Sequence, residues 1–372
     1  MKFPLAVFAS VACLLPAWAA DPEEEVAHAI KKMGGKVERQ SVRKLGVGIT
    51  AVSLQYALGK EAADPVFQLL ADCKQLRRLQ VNGSKITSEG MNALGRLTQL
   101  EELDLRDCLL DKDQLPKLAK LTQIRVLRIG PIMLTLGGDM MRSQEQLDAI
   151  YSPTDATLQA LIPLFRLERL ELDRAILTDR GLSHLRSLTN LRNLSLEAKG
   201  VTDDGLKVIG EFRTLTDLTL VCRGVTPNGL PHLKPLTELR RLSIVYPREI
   251  TADSLKLLAK HHPRLTELSI SGEKLTADDF ALFAAFPSLE FLHVTVREVG
   301  DSALPHLARL KSLRSLVLDG GNDKALTDKG LQTLAEMRDL HRLTVTGGAV
   351  SGQGREALRQ RMPECIILPT DD

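Results

Sequence analysis

The sequence predicts an α/β solenoid: stacked strand–helix coils with a concave parallel β-sheet on one side and short convex helices on the other. Three observations predict it. Leu76, Leu100, Ile124, Leu167, Leu191, Leu215, Leu239, Leu265, Leu289, Leu313 and Leu340 each open an L-x-x-L-x-L phrase, with Val or Ile sometimes replacing Leu. The steps between openers are 24, 24, 43, 24, 24, 24, 26, 24, 24 and 27 residues. A recurring period of about 20–29 residues marks a chain whose units must stack to close a core. Most copies also repeat a second phrase, typified by Val201-Thr202-Asp203-Asp204-Gly205-Leu206. Finally, the apolar period changes inside each copy, from two residues in the first phrase to about three in the second.

The elements follow in chain order. Residues 1–19 read as a signal peptide: Lys2, an apolar run from Phe3 to Pro16, then the small-x-small site Ala17-Trp18-Ala19 before the acidic Asp21-Pro22-Glu23-Glu24-Glu25. The apolar run is too short to span a bilayer comfortably. The expected location is therefore exported (periplasmic, cell envelope or extracellular), with no membrane span in the mature chain. Residues 20–48 are expected to cap the N-terminal end, with a helix over Glu23–Met33 that puts Val26, Ile30 and Met33 on one side and stops at Gly34-Gly35. The solenoid is expected over residues 49–362, beginning with an irregular repeat, Ile49-x-x-Val52-x-Leu54. Ala357-Leu358 and Cys365 to Leu368 predict a last helix and a closing strand, so residues 363–372 form that strand and a frayed tail.

Within a repeat, Leu194 and Leu196 alternate with Asn193, Ser195 and Glu197, which is a strand with one buried face. Ala198 continues the inward alternation, as do Cys222, Tyr246 and Val296 in their copies. Thr202 is a good helix N-cap, and acidic residues after it suit the partial positive charge of the first turn. Thr178, Thr251, Thr276 and Thr327 hold the same place. Leu206, Ile209 and Phe212 form the apolar stripe of a short outer helix. Pro116, Pro231 and Pro305 share one column, which predicts a late helix start or a single 3₁₀ turn there. Cys73, Cys108, Cys222 and Cys365 fall in different repeats at unrelated spacings and are expected as free, mostly buried thiols.

The L-x-x-L-x-L strand and V-T-D-x-G-L helix start resemble the leucine-rich-repeat superfamily, in its I/V/L-T-D-x-G-L type as seen in secreted bacterial proteins. The resemblance covers about residues 49–362. It implies a curved solenoid with a protein-binding habit. In one respect the chain departs from the family. The wider family places Asn or Cys three residues after the last strand leucine, whereas this column reads Ser84, Cys108, Ala175, Lys199, Arg223, Pro247, Glu273 and Arg297. Only Cys108 fits, so the family's Asn ladder is missing.

Composition narrows the function. Lys+Arg and Asp+Glu nearly cancel, at 49 and 47, and the charges alternate in sign, so no basic field exists to attract nucleic acid. No phosphate loop, nucleophile elbow, zinc-protease motif or carboxylate pair stands out, and no cofactor or metal is expected. His184, His232 and His306 share a helix column in separate repeats, and His261-His262 is expected in a connecting loop before Pro263.

Three places carry candidate partner-binding residues. The N-terminal half of the strand face is charged, with Arg78, Glu102, Asp104, Arg128 and Glu171 among its outward residues, and opposite signs meet on neighbouring strands, Arg78 beside Glu102 and Asp104 beside Arg128. The C-terminal half is small and polar except for Phe291, expected as an exposed aromatic, and His293. The 43-residue step leaves an insert at about 130–153 containing Met133, Met140, Met141 and Tyr151. Met-rich apolar surface adapts readily to partners. The expectation is an exported, non-catalytic solenoid that binds a protein partner; the alternative is a structural scaffold component of the cell envelope.

Overall fold

The computed structural model describes residues 22–42, 46–55, 63–110, 112–131, 152–245, 250–272, 275–296, 300–319 and 325–368. The signal-peptide reading, most of the insert and the last four residues lie outside the described residues. Fifteen strands form one open sheet: β1 (Lys36–Val42), β2 (Gly46–Gln55), β3 (Arg78–Asn82), β4 (Lys85–Ile86), β5 (Glu102–Leu110), β6 (Val126–Pro131), β7 (Arg169–Thr178), β8 (Asn193–Gly200), β9 (Asp217–Val221), β10 (Arg241–Val245), β11 (Glu267–Ser271), β12 (Phe291–Thr295), β13 (Ser315–Asp319), β14 (Arg342–Thr346) and β15 (Ile366–Leu368). They run side by side in chain order, except that the two-residue β4 pairs β5 off the main path. All pairs are parallel but the first, β1 with β2.

The register aligns the leucine spine. Leu194 lies opposite Leu170 and Leu218, and Leu268 opposite Leu242 and Leu292. Strands such as β8 to β13 begin by alternating exposed or half-buried residues with buried ones, as one solvated face requires. The buried apolar side chains form one continuous cluster from Val26 to Ile367. Each fully buried Leu contributes about 1.5–3 kcal/mol before entropy is counted.

The other side carries the helices: α1 (Pro22–Lys32), α2 (Asp64–Leu69), α3 (Ser88–Leu94), α4 (Asp155–Ala160), α5 (Asp179–Leu182), α6 (Asp203–Ile209), α7 (Ala252–His261), α8 (Leu304–Leu307), α9 (Asp328–Leu331) and α10 (Gly352–Arg361). Leu206, Ile209 and Phe212 are buried, as their stride predicts. Pro116 and Pro231 sit in 3₁₀ segments, Lys112–Lys120 and Leu230–Leu233, while Pro305 is at the start of the one-turn α8. Pro231 and Pro305 stand at the second position of their helices, where the N–H groups have no partner within the helix, whereas Pro116 lies inside its 3₁₀ segment.

Both ends are closed. α1 buries Val26 and Ile30, and its Glu23 accepts a hydrogen bond from the N–H of Ile49. The antiparallel β1, with Arg39 ion-paired to Glu24, puts charge along that sheet edge, which discourages further strand addition. At the other end α10 and β15 bury Leu358 and Ile367.

The T-D-x-G-L phrase has a role between coils as well as within its helix. In each of six places among the described residues, an Asp at the first helical position accepts two hydrogen bonds from the Thr or Ser that caps the next coil. The backbone N–H donates to one carboxylate oxygen and the hydroxyl to the other. The pairs are Asp64–Thr87, Asp155–Thr178, Asp179–Thr202, Asp203–Thr226, Asp301–Thr327 and Asp328–Ser351. In the Asp203 rung these distances are 2.7 and 2.6 Å.

The glycine of the phrase makes room for that carboxylate. A Cβ on Gly90, Gly181, Gly205, Gly229, Gly330 or Gly354 would come within 3.0 Å of the Asp of the preceding coil. The two positions change together along the chain. Where the Asp place holds Ser88, Lys112, Pro227, Ala252 or Ala277, the next coil's glycine place holds Gln114, Thr157, Ser254, Asp279 or Ala303. Several of these substitutes bond within their own coil instead: Thr157, Ser254 and Asp279 form capping boxes with Thr154, Thr251 and Thr276.

This ladder ties coils together on the helix side. The expected column also needs realignment. Gly83, Asp107 and Arg174 adopt left-handed backbone (φ 71°, 59° and 48°), adding one residue before the inward-facing Ser84, Cys108 and Ala175. Copies without that residue turn inward one place earlier, at the buried Ala198 and Cys222, so Lys199 and Arg223 are exposed.

Candidate functional site

The outward side chains of the strands form the open face of the sheet, and its charged end is the most structured part. Arg78 lies opposite Glu102, and Asp104 opposite Arg128, as the alternation predicts. The side chains choose other partners. Arg78 donates to Glu38 at 2.6 Å, on the N-terminal edge strand β1. Asp104 is held mainly by its own strand: the Arg106 side chain donates to both of its oxygens, at 3.0 and 2.7 Å, and the Arg106 N–H to one, at 3.1 Å. Asn82 Nδ2 adds a bond to Asp104 at 3.1 Å and another to the Arg106 carbonyl at 3.0 Å. Arg128 Nε donates to Glu171 at 3.0 Å.

Arg106 joins these into one network. Its register partner on β6 is Gly130, and its Nη1 lies 3.5 Å from Glu171 Oε2 on β7. Gly130 is needed here, because a Cβ would stand 2.8 Å from the Cβ of Asp173. The outcome is a chain of alternating charge, Asp104–Arg106–Glu171–Arg128, across three strands. Strand alternation does not reveal Arg106 as the hub, because it reaches past its register partner on β6 to Glu171 on β7.

The environments are unequal. Burial works against the ionised Asp104, which is 5% exposed, but hydrogen bonds from the Arg106 side chain and backbone, the Arg106 charge and Asn82 outweigh it and hold the carboxyl below its ordinary value. Asp173 goes the other way. Burial pushes it up to about 6, with Glu171, Glu197 and Asp107 adding to the shift against the attraction of Arg106. Beside the network a depression of about 440 Å³ opens between Lys36 and Glu38 at one end and Arg106 and Arg128 at the other, with Glu102 and Asp104 in its lining.

The C-terminal half of the face is smoother. Phe291 on β12 is half-buried instead of standing exposed, because the neighbouring Glu267 and Ser315 flank its ring position in register. His293 is also half-buried, with Nδ1 3.2 Å from Ser269 Oγ and Nε2 3.4 Å from Thr295 Oγ1. Desolvation lowers its pKa, against the pull of Asp319. His262, expected in a loop, instead closes the end of α7 and is fully buried, with Nδ1 3.2 Å from the Leu236 carbonyl and a pKa lowered by desolvation. Cys73, Cys108, Cys222 and Cys365 are buried, and among the described residues they form no disulfide. Met133, Met140, Met141 and Tyr151 lie outside the described residues. Among the described residues no helix is long and apolar enough to cross a membrane, and no group of three or more His, Cys, Asp or Glu is placed to hold a metal ion.

Parallel strands in chain order, one leucine core and a helix side define the fold as an α/β leucine-rich-repeat solenoid. Solved structures of that class resemble it over most of its length. An internalin (InlF) of Listeria monocytogenes superposes with a TM-score of 0.55 at 18% identity, covering 95% of this chain and 95% of its own. A leucine-rich-repeat protein of Leptospira interrogans covers 81% of this chain and 80% of its own, with a TM-score of 0.43 and 16% identity. No protein-family model and no curated protein matches the chain.

Proposed function

We propose that this chain is an exported, non-catalytic recognition solenoid that binds a protein partner across the open face of its sheet. The observation that carries the reading is the charged network centred on Arg106. Its side chains are already fixed by cross-strand and same-strand partners, and a binding surface ordered in advance loses less entropy when it docks. The similarity to the internalin, itself a leucine-rich-repeat structure by fold, is in keeping with a surface of this kind. Arg78, Glu102, Asp104, Arg128 and Glu171 form the first candidate patch, Phe291 and His293 the second, and the insert with Met133, Met140, Met141 and Tyr151 the third. Export rests on residues 1–19.

A photo-crosslinking residue placed at Gln80 or Ser195 on the open face, and at Lys207 or Lys256 on the helix side, tests the proposal in the native envelope or medium. One stoichiometric foreign protein captured only from the open face supports recognition. Capture of self-copies or glycan alone supports the scaffold reading instead. Deleting residues 131–152 tests the third patch: unchanged capture by the folded deletion variant removes the insert from the site.

A further inference from the structure

The ladder is interrupted, and its longest interruption falls under the second candidate patch. Between the rungs Asp203–Thr226 and Asp301–Thr327 lie three successive junctions: β9 to β10, β10 to β11 and β11 to β12. At their Asp places stand Pro227, Ala252 and Ala277, none of which has a carboxylate to offer the next coil. The capping residues turn inward. Thr251 pairs with Ser254 of its own coil, and Thr276 donates its N–H and hydroxyl to Asp279, both at 2.8 Å. At the third junction the capping place is Gly300, which has no side chain. Among the described residues no side-chain hydrogen bond crosses these junctions at the helix starts.

We propose that the three junctions between β9 and β12 form a compliant seam in the solenoid, opening at their helix starts before the laddered blocks on either side. The core is continuous through the seam, so the apolar contribution is shared with its neighbours. What differs is whether the paired hydrogen bonds of the capping residue cross to the neighbouring coil or stay within their own, and local opening between coils is governed by such differences. In a solenoid each coil touches only its neighbours, so a missing tie acts at its own junction and is not averaged over the molecule. Phe291 and His293 lie on β12, at the border of the seam. Flexing there changes the spacing of the strands that carry the second patch while leaving the Arg106 network in place. The proposal does not depend on the protein-binding reading. A seam without a partner and a partner without a seam are separate outcomes.

Hydrogen exchange read by mass spectrometry on the full chain tests it. The amides of the helix starts after Thr251 and Thr276 are expected to exchange about tenfold faster than those after Thr178 and Thr202. The Ala252→Asp/Asp279→Gly double variant installs a rung at the middle junction and frees Thr276 to join it. It is expected to slow exchange at Thr276–Phe280 by about tenfold, with no change after Thr202. Asp179→Ala removes an existing rung and is expected to speed exchange after Thr202 by a similar factor, which keeps the test open should the double variant fail to fold. Equal protection across laddered and unladdered coils, or no local effect of either change, overturns the proposal.

Discussion

Replacing Asp173 by asparagine should stabilise this protein at neutral pH, although it removes a charge from a face rich in ion pairs. Asp173 lies on β7 close to Gly130, and its carboxyl is pushed from an ordinary value of 3.8 up to about 6 by burial and by the carboxylates of Glu171, Glu197 and Asp107. Between these two values the folded protein holds a proton that the unfolded chain has released. Stability therefore falls as pH rises through about 4 to 6, and the penalty is complete above that window. At about 1.4 kcal/mol per pH unit the full penalty is about 3 kcal/mol, and screening by solvent at this half-buried site reduces it to about 1–2 kcal/mol. The asparagine side chain is neutral at every pH and escapes the penalty. Urea unfolding of both proteins at pH 7 and at pH 3.5 measures it. Asp173→Asn is expected to be more stable by about 1–2 kcal/mol at pH 7, with the difference largely gone at pH 3.5. A destabilised variant at pH 7, or an equal difference at both pH values, would refute the reasoning.

Two further outcomes follow from the core. Leu194→Ala and Leu268→Ala, whose side chains are 2% and 0% exposed, should each cost about 2–5 kcal/mol in denaturant unfolding, and a loss below about 1 kcal/mol would remove them from the core. The Cys108 and Cys222 thiols, pushed by burial up to about 12 and about 11, should be alkylated at pH 8 at least about a hundredfold more slowly in the native protein than in urea, followed residue by residue by mass spectrometry.

Much of this fold is legible in the sequence because a solenoid repeats its instructions. The leucine spacing gives the strands, and the change of period gives the helices. The ladder was harder to see. Within one copy, Asp203 reads as a first-turn acid for its own helix. Its role toward Thr226 emerges only when residues 23 apart are known to be adjacent in space. The signal was present nonetheless, as paired changes such as Asp203 with Gly229 against Pro227 with Ser254.

The candidate site divides along a similar line. Strand alternation places Arg78, Glu102, Asp104, Arg128 and Glu171 on one face and in the right rows. It does not choose their partners. Arg106 turns back to Asp104 and also reaches past Gly130 on β6 to Glu171 on β7, a pairing between strands that are not neighbours. Likewise the left-handed residues at Gly83, Asp107 and Arg174 shift the inward column by one place in three copies, a change that spacing alone does not reveal.

The central structural claim is that one coil's aspartate occupies the space its neighbour's glycine leaves open. A double-mutant cycle on Asp203 and Gly229 tests it most directly, because the three nearest atoms to a Cβ on Gly229 all belong to Asp203. Gly229 has φ −77°, where alanine is otherwise welcome. With Asp203 present, Gly229→Ala should cost about 1–3 kcal/mol, by overpacking or by expelling the carboxylate from its bonds to Thr226. In the Asp203→Ala background the same change should be neutral or stabilising, giving a coupling of at least about 1 kcal/mol. An equal effect of Gly229→Ala in both backgrounds would contradict the account.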